Sequence, residues 1–240
     1  MKFTSLLMAV SFVAVLASCQ KSNQNVGKVM LKTDSDSLSY ALGVNIAQSL
    51  KNGKLDEINY KALARAVQDI YKNDSSNIRM TDEEAIKFIQ GFFSKREKAI
   101  AAENLEKSNK FLEENKTKEG VIVDSTGLQY KVITEGTGTL PTAEDVVKVH
   151  YKGTLIDGTQ FDSSYDRGEP AQFKLNQVIK GWTIGLQKMK VGSKYILYIP
   201  SDLAYGVNVR PNGPIGPNQA LIFEVELLEI VKDTAKPVNK

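Results

Sequence analysis

The sequence predicts an α+β protein: an antiparallel sheet wrapped around one short helix, preceded by an all-α region with a long connecting helix. Three observations predict it. Apolar residues recur at helical spacing between Leu38 and Phe93, the period changes to two after Gly120, and the only tryptophan, Trp182, opens a short helix between strand-like segments. A chain of 240 residues, 42% hydrophobic and 25% charged, is large enough for two modest domains. Its formal charge of +3 implies no field for nucleic acid.

Met1-Lys2 is followed by an apolar run from Leu6 to Leu16 and then by Ala17-Ser18-Cys19. A mature membrane helix takes about 20 apolar residues. The run is too short for that, so residues 1–18 read as a secretory signal. Cys19 is the only cysteine, which excludes an intramolecular disulfide. Leu16-Ala17-Ser18-Cys19 resembles the lipobox of bacterial lipoproteins. That resemblance implies cleavage before Cys19 and acylation of its thiol and new amino group, which would anchor the protein in a membrane. Ordinary signal cleavage with a free thiol is the alternative. Residues 19–34 are largely polar and aperiodic, as suits a flexible tether.

The helical region comes next. From Asp36, Leu38, Leu42, Ile46 and Leu50 recur four apart, and Asn52-Gly53 supplies a stop. A second helix begins at Asn59 and carries Tyr60, Leu63, Val67, Ile70 and Tyr71 on one face. Thr81-Asp82-Glu83-Glu84 is a capping box that opens a third, with Phe88, Ile89, Phe92 and Phe93 early and no Gly or Pro between Lys95 and Gly120. Run to about Asn115, this helix is roughly 50 Å long at 1.5 Å per residue. Its later half is expected to be mostly solvated, supported by pairs such as Glu103 with Lys107. About 60 residues is near the lower limit for a self-sufficient core. Residues 36–95 are therefore expected to find burial in a second copy, making 35–119 a dimerisation domain with its linker helix. A small monomeric three-helix cap is the other reading.

Residues 120–232 form the second domain, followed by a disordered tail at 233–240. Leu128, Tyr130 and Val132 alternate with Gln129, Lys131 and Ile133 as a strand. Val147, Val149 and Tyr151 then share one face against Lys148, His150 and Lys152, so His150, the only histidine, is expected to point to solvent and away from catalysis. No cluster supplies a metal site, and no cofactor is expected. Asp157-Gly158 signals a hairpin returning through Phe161. Phe173 and Leu175 follow, then the Trp182 helix to about Met189, a turn at Val191-Gly192, and a strand from Tyr195 to Ile199 stopped by Pro200. A long proline-containing loop leads to a last strand with Leu221, Phe223, Val225 and Leu227 inward. Around Trp182 lie Tyr151, Phe161, Asp162, Tyr205 and Phe223, an aromatic cup with few polar groups. On the residues alone, Trp182 reads as core before it reads as a binding floor.

Val149-His150-Tyr151-Lys152-Gly153, Phe161-Asp162-Ser163-Ser164, Val178-Ile179-Lys180-Gly181-Trp182, Leu203-Ala204-Tyr205-Gly206 and Leu221-Ile222-Phe223-Glu224-Val225-Glu226-Leu227 together resemble the FKBP family of peptidyl-prolyl cis-trans isomerases, over residues 127–231. The helical front end resembles its macrophage-infectivity-potentiator branch, envelope proteins that dimerise through N-terminal helices. The resemblance implies an isomerase of X-Pro bonds in unfolded or partly folded exported proteins, lipid-anchored on the outer membrane and facing the periplasm. A holdase chaperone with secondary isomerase activity is the alternative.

It also implies the site. Trp182 would be the floor under a proline ring and Tyr151, Phe161 and Phe223 its walls, with Val178, Ile179 and Ile215 alongside. The Ile179 amide and the Tyr205 hydroxyl would bind substrate carbonyls. Asp162 would face the twisting carbonyl, ordered through Tyr151 and Arg167; a purely structural Asp162–Arg167 ion pair is the other reading. Two departures stand out. Ala171 occupies a position where many eukaryotic members have a Phe wall, which leaves macrolide binding open. Gly216 replaces the first proline of a Pro-Pro pair in the loop Val207–Asn218.

Overall fold

The computed structural model describes residues 27–53, 55, 57–72, 75–211 and 213–231. Cys19, the signal over 1–18, the tether up to Val26 and the tail over 233–240 lie outside the described residues. The chain divides into two compact units, one up to Arg79 and the other from Met80 onward.

The first unit holds α1 (Asp34–Asn52) and α2 (Tyr60–Tyr71). Helix α1 starts two residues before Asp36 because Thr33 caps it. The Asp36 N–H donates to Thr33 Oγ1 at 3.1 Å, and the Thr33 N–H donates to Asp36 Oδ2 at 2.9 Å, a reciprocal box with aspartate in the acidic position. Asn59 caps α2 through the Ala62 N–H at 3.0 Å. Leu38, Leu42 and Ile46 on α1, and Leu63, Val67 and Ile70 on α2, are all exposed.

The second unit opens with α3 (Asp82–Asn115), capped by Thr81 and Glu84 as the sequence predicts. Its 34 residues span about 50 Å. Phe88, Ile89 and Phe92 are exposed near its start, and Glu103 pairs with Lys107 at 2.6 Å. Its later half is mostly exposed, as expected, with Ser108, Leu112 and Asn115 the buried residues along it. Asn115 Nδ2 donates to Gln129 Oε1 at 2.9 Å, and Gln129 Nε2 donates to the Leu112 carbonyl at 2.8 Å. Gln129 stands on the outward side of its strand by alternation, and the last turns of the helix cover it there.

Seven strands follow: β1 (Val121–Val123), β2 (Gln129–Thr134), β3 (Val146–Leu155), β4 (Gln160–Ser163), β5 (Ala171–Lys174), β6 (Lys194–Ile199) and β7 (Leu221–Val231). They form one antiparallel sheet in the order β1-β2-β6-β7-β3-β4, with β5 also paired to β3. The expected fold class is what is observed. Strand β1 was not anticipated, being too short to show an alternation. The Asp157-Gly158 turn forms, with Gly158 at φ 86 and the Leu155 N–H donating to the Thr159 carbonyl at 2.9 Å.

Helix α4 (Lys180–Leu186) packs on the inner face of the sheet and ends three residues before the expected Met189, which is itself fully buried. The inward residues of β3, β6 and β7, including Val149, Leu197 and Val225, close on Trp182 and Leu186. Two glycines permit this approach. A Cβ at Gly181 would lie 2.3 Å from Ile199 Cγ2, and one at Gly185 would lie 2.7 Å from Leu197 Cδ1.

His150 corrects an expectation. It does occupy the outer face of β3, but it is half-buried rather than free in solvent. Its ring stacks on Tyr165 at 4.7 Å, and Nδ1 lies 3.0 Å from Ser164 Oγ.

Candidate active site

Where α4 meets the sheet, an open cleft of about 660 Å³ is lined by Tyr151, Phe161, Asp162, Phe173, Gln177, Val178, Ile179, Trp182, Tyr205, Val209, Arg210, Gly213, Pro214, Ile215 and Phe223. Trp182, 4% exposed, forms its floor. The ring stands edge-on to three others, with centroids 5.1 Å from Tyr151, 5.2 Å from Phe173 and 5.2 Å from Phe223, at interplanar angles of 82° to 86°. Phe161 continues the wall at 5.4 Å from Phe223. Edge-to-face rings hold one another in place, which makes the cup rigid as well as apolar. The indole Nε1 is buried with no hydrogen-bond partner among the described residues.

One side of the cup is polar. The Tyr151 hydroxyl donates to Asp162 Oδ2 at 2.5 Å, Arg167 Nη1 donates to Asp162 Oδ1 at 2.6 Å, and Arg167 Nη2 donates to the Tyr151 oxygen at 2.9 Å. The Ser163 N–H also donates to Asp162 Oδ1, at 2.8 Å. Burial would by itself raise the Asp162 carboxyl, but the hydrogen bonds from Tyr151 and Arg167 outweigh it and hold the group below the usual carboxylate range. Burial, and then the Asp162 carboxylate, push the Tyr151 phenol up. Burial and the same charge also push up Tyr205. Both phenols are therefore donors at neutral pH.

Two further donors face the cleft unspent. Ile179 is the residue before α4, its carbonyl accepting from the Trp182 and Thr183 N–H groups, while its own N–H has no acceptor among the described residues. Tyr205, 45% exposed, follows the turn after Pro200. An arrangement of this kind, an apolar hollow with a few fixed donors and an anchored carboxylate, suits binding and twisting of a peptide.

Every residue predicted for the cup lines this cleft except Arg167, which stands behind Asp162 and Tyr151. The sequence reading missed Phe173. Its signal was parity: it shares a face of β5 with Ala171, the position singled out as lacking a ring, and it supplies a ring one pair further along. Gln177 precedes Val178 and could have been found by adjacency. Val209, Arg210 and Gly213 lie on an aperiodic loop that carries no such signal.

Residues 138–228 match the family described as FKBP-type peptidyl-prolyl cis-trans isomerase, and residues 35–132 match the domain amino terminal to FKBP-type peptidyl-prolyl isomerase. The Outer membrane protein MIP of Legionella longbeachae is 43% identical over 209 residues, which cover 84% of this chain and 88% of that protein. The FKBP-type peptidyl-prolyl cis-trans isomerase FkpA of Aeromonas hydrophila is 40% identical over 262 aligned positions, 97% of this chain and 96% of that one. The crystal structure of FkpA from Escherichia coli superposes with a TM-score of 0.66 at 38% identity, covering 84% of this chain and 98% of that chain.

Proposed function

This chain belongs to the FKBP-type peptidyl-prolyl cis-trans isomerases, and from that membership we propose that the cleft over Trp182 is where it turns X-Pro bonds of exported proteins during their folding. It is an isomerase, and the reaction makes modest demands on side-chain chemistry. An X-Pro bond turns over a barrier of ~18–20 kcal/mol because amide resonance is lost at the twisted geometry. No proton leaves and no covalent bond is made or broken. A twisted amide has a less polar carbonyl than a planar one, so a dry aromatic cup favours it over the ground state.

The residues divide the work accordingly. Trp182 carries the proline ring between Tyr151, Phe161, Phe173 and Phe223, with Val178 and Ile215 closing the sides. The Ile179 N–H and the Tyr205 hydroxyl hold carbonyls of the flanking residues, and Asp162, fixed by Tyr151 and Arg167, faces the carbonyl that turns. The single observation that carries this reading is the edge-on enclosure of Trp182 by three rings below an open cleft. Its test is turnover of a proline tetrapeptide by Asp162→Ala: most activity is lost at an unchanged Tm, and full turnover overturns the assignment.

The remainder of the proposed organisation is a signal over 1–18, a tether over 19–34, a helical dimerisation region over 35–119, the isomerase domain over 120–232 and a tail over 233–240. Lipidation of Cys19 would hold the protein on the outer membrane facing the periplasm. Support for the anchor comes from Leu16-Ala17-Ser18-Cys19 and from the name of the Legionella longbeachae relative. Support for the dimer comes from the uncovered apolar residues of α1, α2 and the start of α3. Acyl-labelling of wild type against Cys19→Ser tests the anchor; equal label in both removes it.

A further inference from the structure

The loop Val207–Asn218 carries Val209, Arg210, Gly213, Pro214 and Ile215 over the cleft, and its two ends are tied together and to α3. The Asn218 N–H donates to the Gly206 carbonyl at 2.8 Å, closing a neck beside Tyr205. Asn218 itself sits at φ 56, the one non-glycine with positive φ among the described residues. Asparagine is among the few side chains that tolerate this region, but the conformation is still uncommon and must be held.

Helix α3 holds it. Four hydrogen bonds cross from the helix to the neck: Asn104 Nδ2 to the Pro217 carbonyl at 2.9 Å, Ser108 Oγ to the Asn218 carbonyl at 3.0 Å, the Ala220 N–H to Ser108 Oγ at 2.8 Å, and Asn218 Nδ2 to the Ala101 carbonyl at 3.2 Å. Ser108 is 1% exposed. Serine is a poor interior helix residue because its hydroxyl competes for backbone groups. Here that hydroxyl is used on two backbone groups of another segment. Ala101, Asn104, Ser108, Leu112 and Asn115 recur three and four apart, one continuous face of the helix.

Gly216 belongs to the same device. A Cβ there would lie 3.0 Å from Asn104 Nδ2, and the Gly216 N–H donates to Gln219 Oε1 at 2.6 Å. A proline at this position would crowd the Asn104 amide and remove that donor. The absence of a side chain at Gly216 therefore accompanies the grip of α3 on the loop.

We propose that α3 is the buttress of the isomerase cleft, with Asn104 and Ser108 as positioning residues that set the height of the overhanging loop and the approach of Tyr205. This rests on the cleft being the isomerase site. The loop touches the bound peptide in its ground and twisted states alike, so loosening it weakens binding in general and is read in KM.

The test compares full-length wild type, Asn104→Ala/Ser108→Ala, Asn115→Leu and Asp162→Ala on a proline tetrapeptide, with acrylamide quenching of Trp182 as a second readout. The double variant raises KM roughly 10-fold with kcat within about 2-fold, the effect of losing hydrogen bonds that act on binding alone. Trp182, the only tryptophan, becomes more accessible to quencher. Asn115→Leu loosens the other end of the same interface, lowers Tm and leaves KM unchanged. Should the double variant not fold, Ser108→Ala alone is read by the same criteria, with a rise of roughly 3-fold. An unmoved KM in the folded variant, or an equal rise in Asn115→Leu, overturns the buttress. Full turnover by Asp162→Ala would remove the site beneath it, whereas loss of turnover there with an unmoved KM in the double variant overturns the buttress alone.

Discussion

Tyr151 donates to Asp162 at 2.5 Å, and Arg167 bonds to both, at 2.9 Å and 2.6 Å, so the carboxylate is held by a closed ring of three side chains. Tyr151→Phe removes one member and keeps the aromatic wall. The expected result on a proline tetrapeptide is a fall in kcat/KM of roughly 10-fold with Tm nearly unchanged. The pH profile gives a sharper check. Because Asp162 is held below 3.8 in the folded protein, what its ionised form contributes is present above that value and lost as pH falls through the lower folded one. With Asp162 in the proposed role, the acid limb of wild-type activity is expected to fall below the ordinary carboxylate value of 3.8. In Tyr151→Phe one of the lowering hydrogen bonds is gone, so that limb moves to higher pH. An unshifted limb would show that the Tyr151 bond does not tune Asp162.

Gly153 and Gly158 offer a contrast between wall geometry and backbone strain. A Cβ at Gly153 would lie 2.6 Å from Phe161 Cζ and 2.9 Å from Phe223 Cε1. Gly153→Ala drives two cup rings from their places, and KM for a proline tetrapeptide is expected to rise by about 10-fold or more. Gly158 has open space around its Cβ position but a φ of 86. Gly158→Ala costs about 1 kcal/mol in backbone strain. Measured side by side, the first moves KM and the second only Tm.

The cup was legible in the sequence because its walls come from strands whose alternation puts Tyr151 and Phe223 inward with the core, and because the Gly181-Trp182 pair marks a helix that must sit close to the sheet. The lower helices were legible from four-residue spacing, though Thr33-Asp36 hid its capping box behind an aspartate. What was not legible was long-range covering. Gln129 and Ser108 look like solvent-facing residues in a strand and a helix, and only the docking of α3 onto the sheet buries them. His150 misled for the same reason, since Tyr165, from the segment after β4, covers a face that parity alone assigns to water.

Asp124 should govern the acid end of the stability profile. Its side chain is 10% exposed and pairs with Lys188 at 2.7 Å, and Thr126 donates to it from both its hydroxyl and its N–H. The bond from Lys188, followed by that from the Thr126 hydroxyl, lowers the carboxyl from 3.8 to about 2. A depressed value means the stabilisation is fully present above 3.8 and is lost as pH falls toward 2. Asp124→Asn is expected to lower Tm at neutral pH and to flatten the decline between these two values. Parallel Tm curves for wild type and variant across that window would show that Asp124 is not an acid-sensitive support.

The proposed dimer gives the start of α3 a role that can be tested. Phe88, Ile89 and Phe92 are 62%, 53% and 49% exposed on successive turns of one helix, next to a capping box that fixes where that helix begins. Fully burying one such side chain contributes about 1.5–3 kcal/mol, and in a two-fold dimer each contact region occurs twice. A dimer with micromolar affinity corresponds to about 8 kcal/mol. Phe88→Glu, which removes the apolar contribution and adds a charge to be desolvated, is thus expected to raise the dissociation constant by roughly 100-fold or more. Sedimentation at micromolar concentration should give a dimer for wild type and a monomer for the variant. Turnover of a proline tetrapeptide should stay within about 2-fold of wild type, since Phe88 is not among the residues lining the cleft. A wild-type monomer under these conditions, or a variant that remains dimeric, would take the subunit contact away from this face.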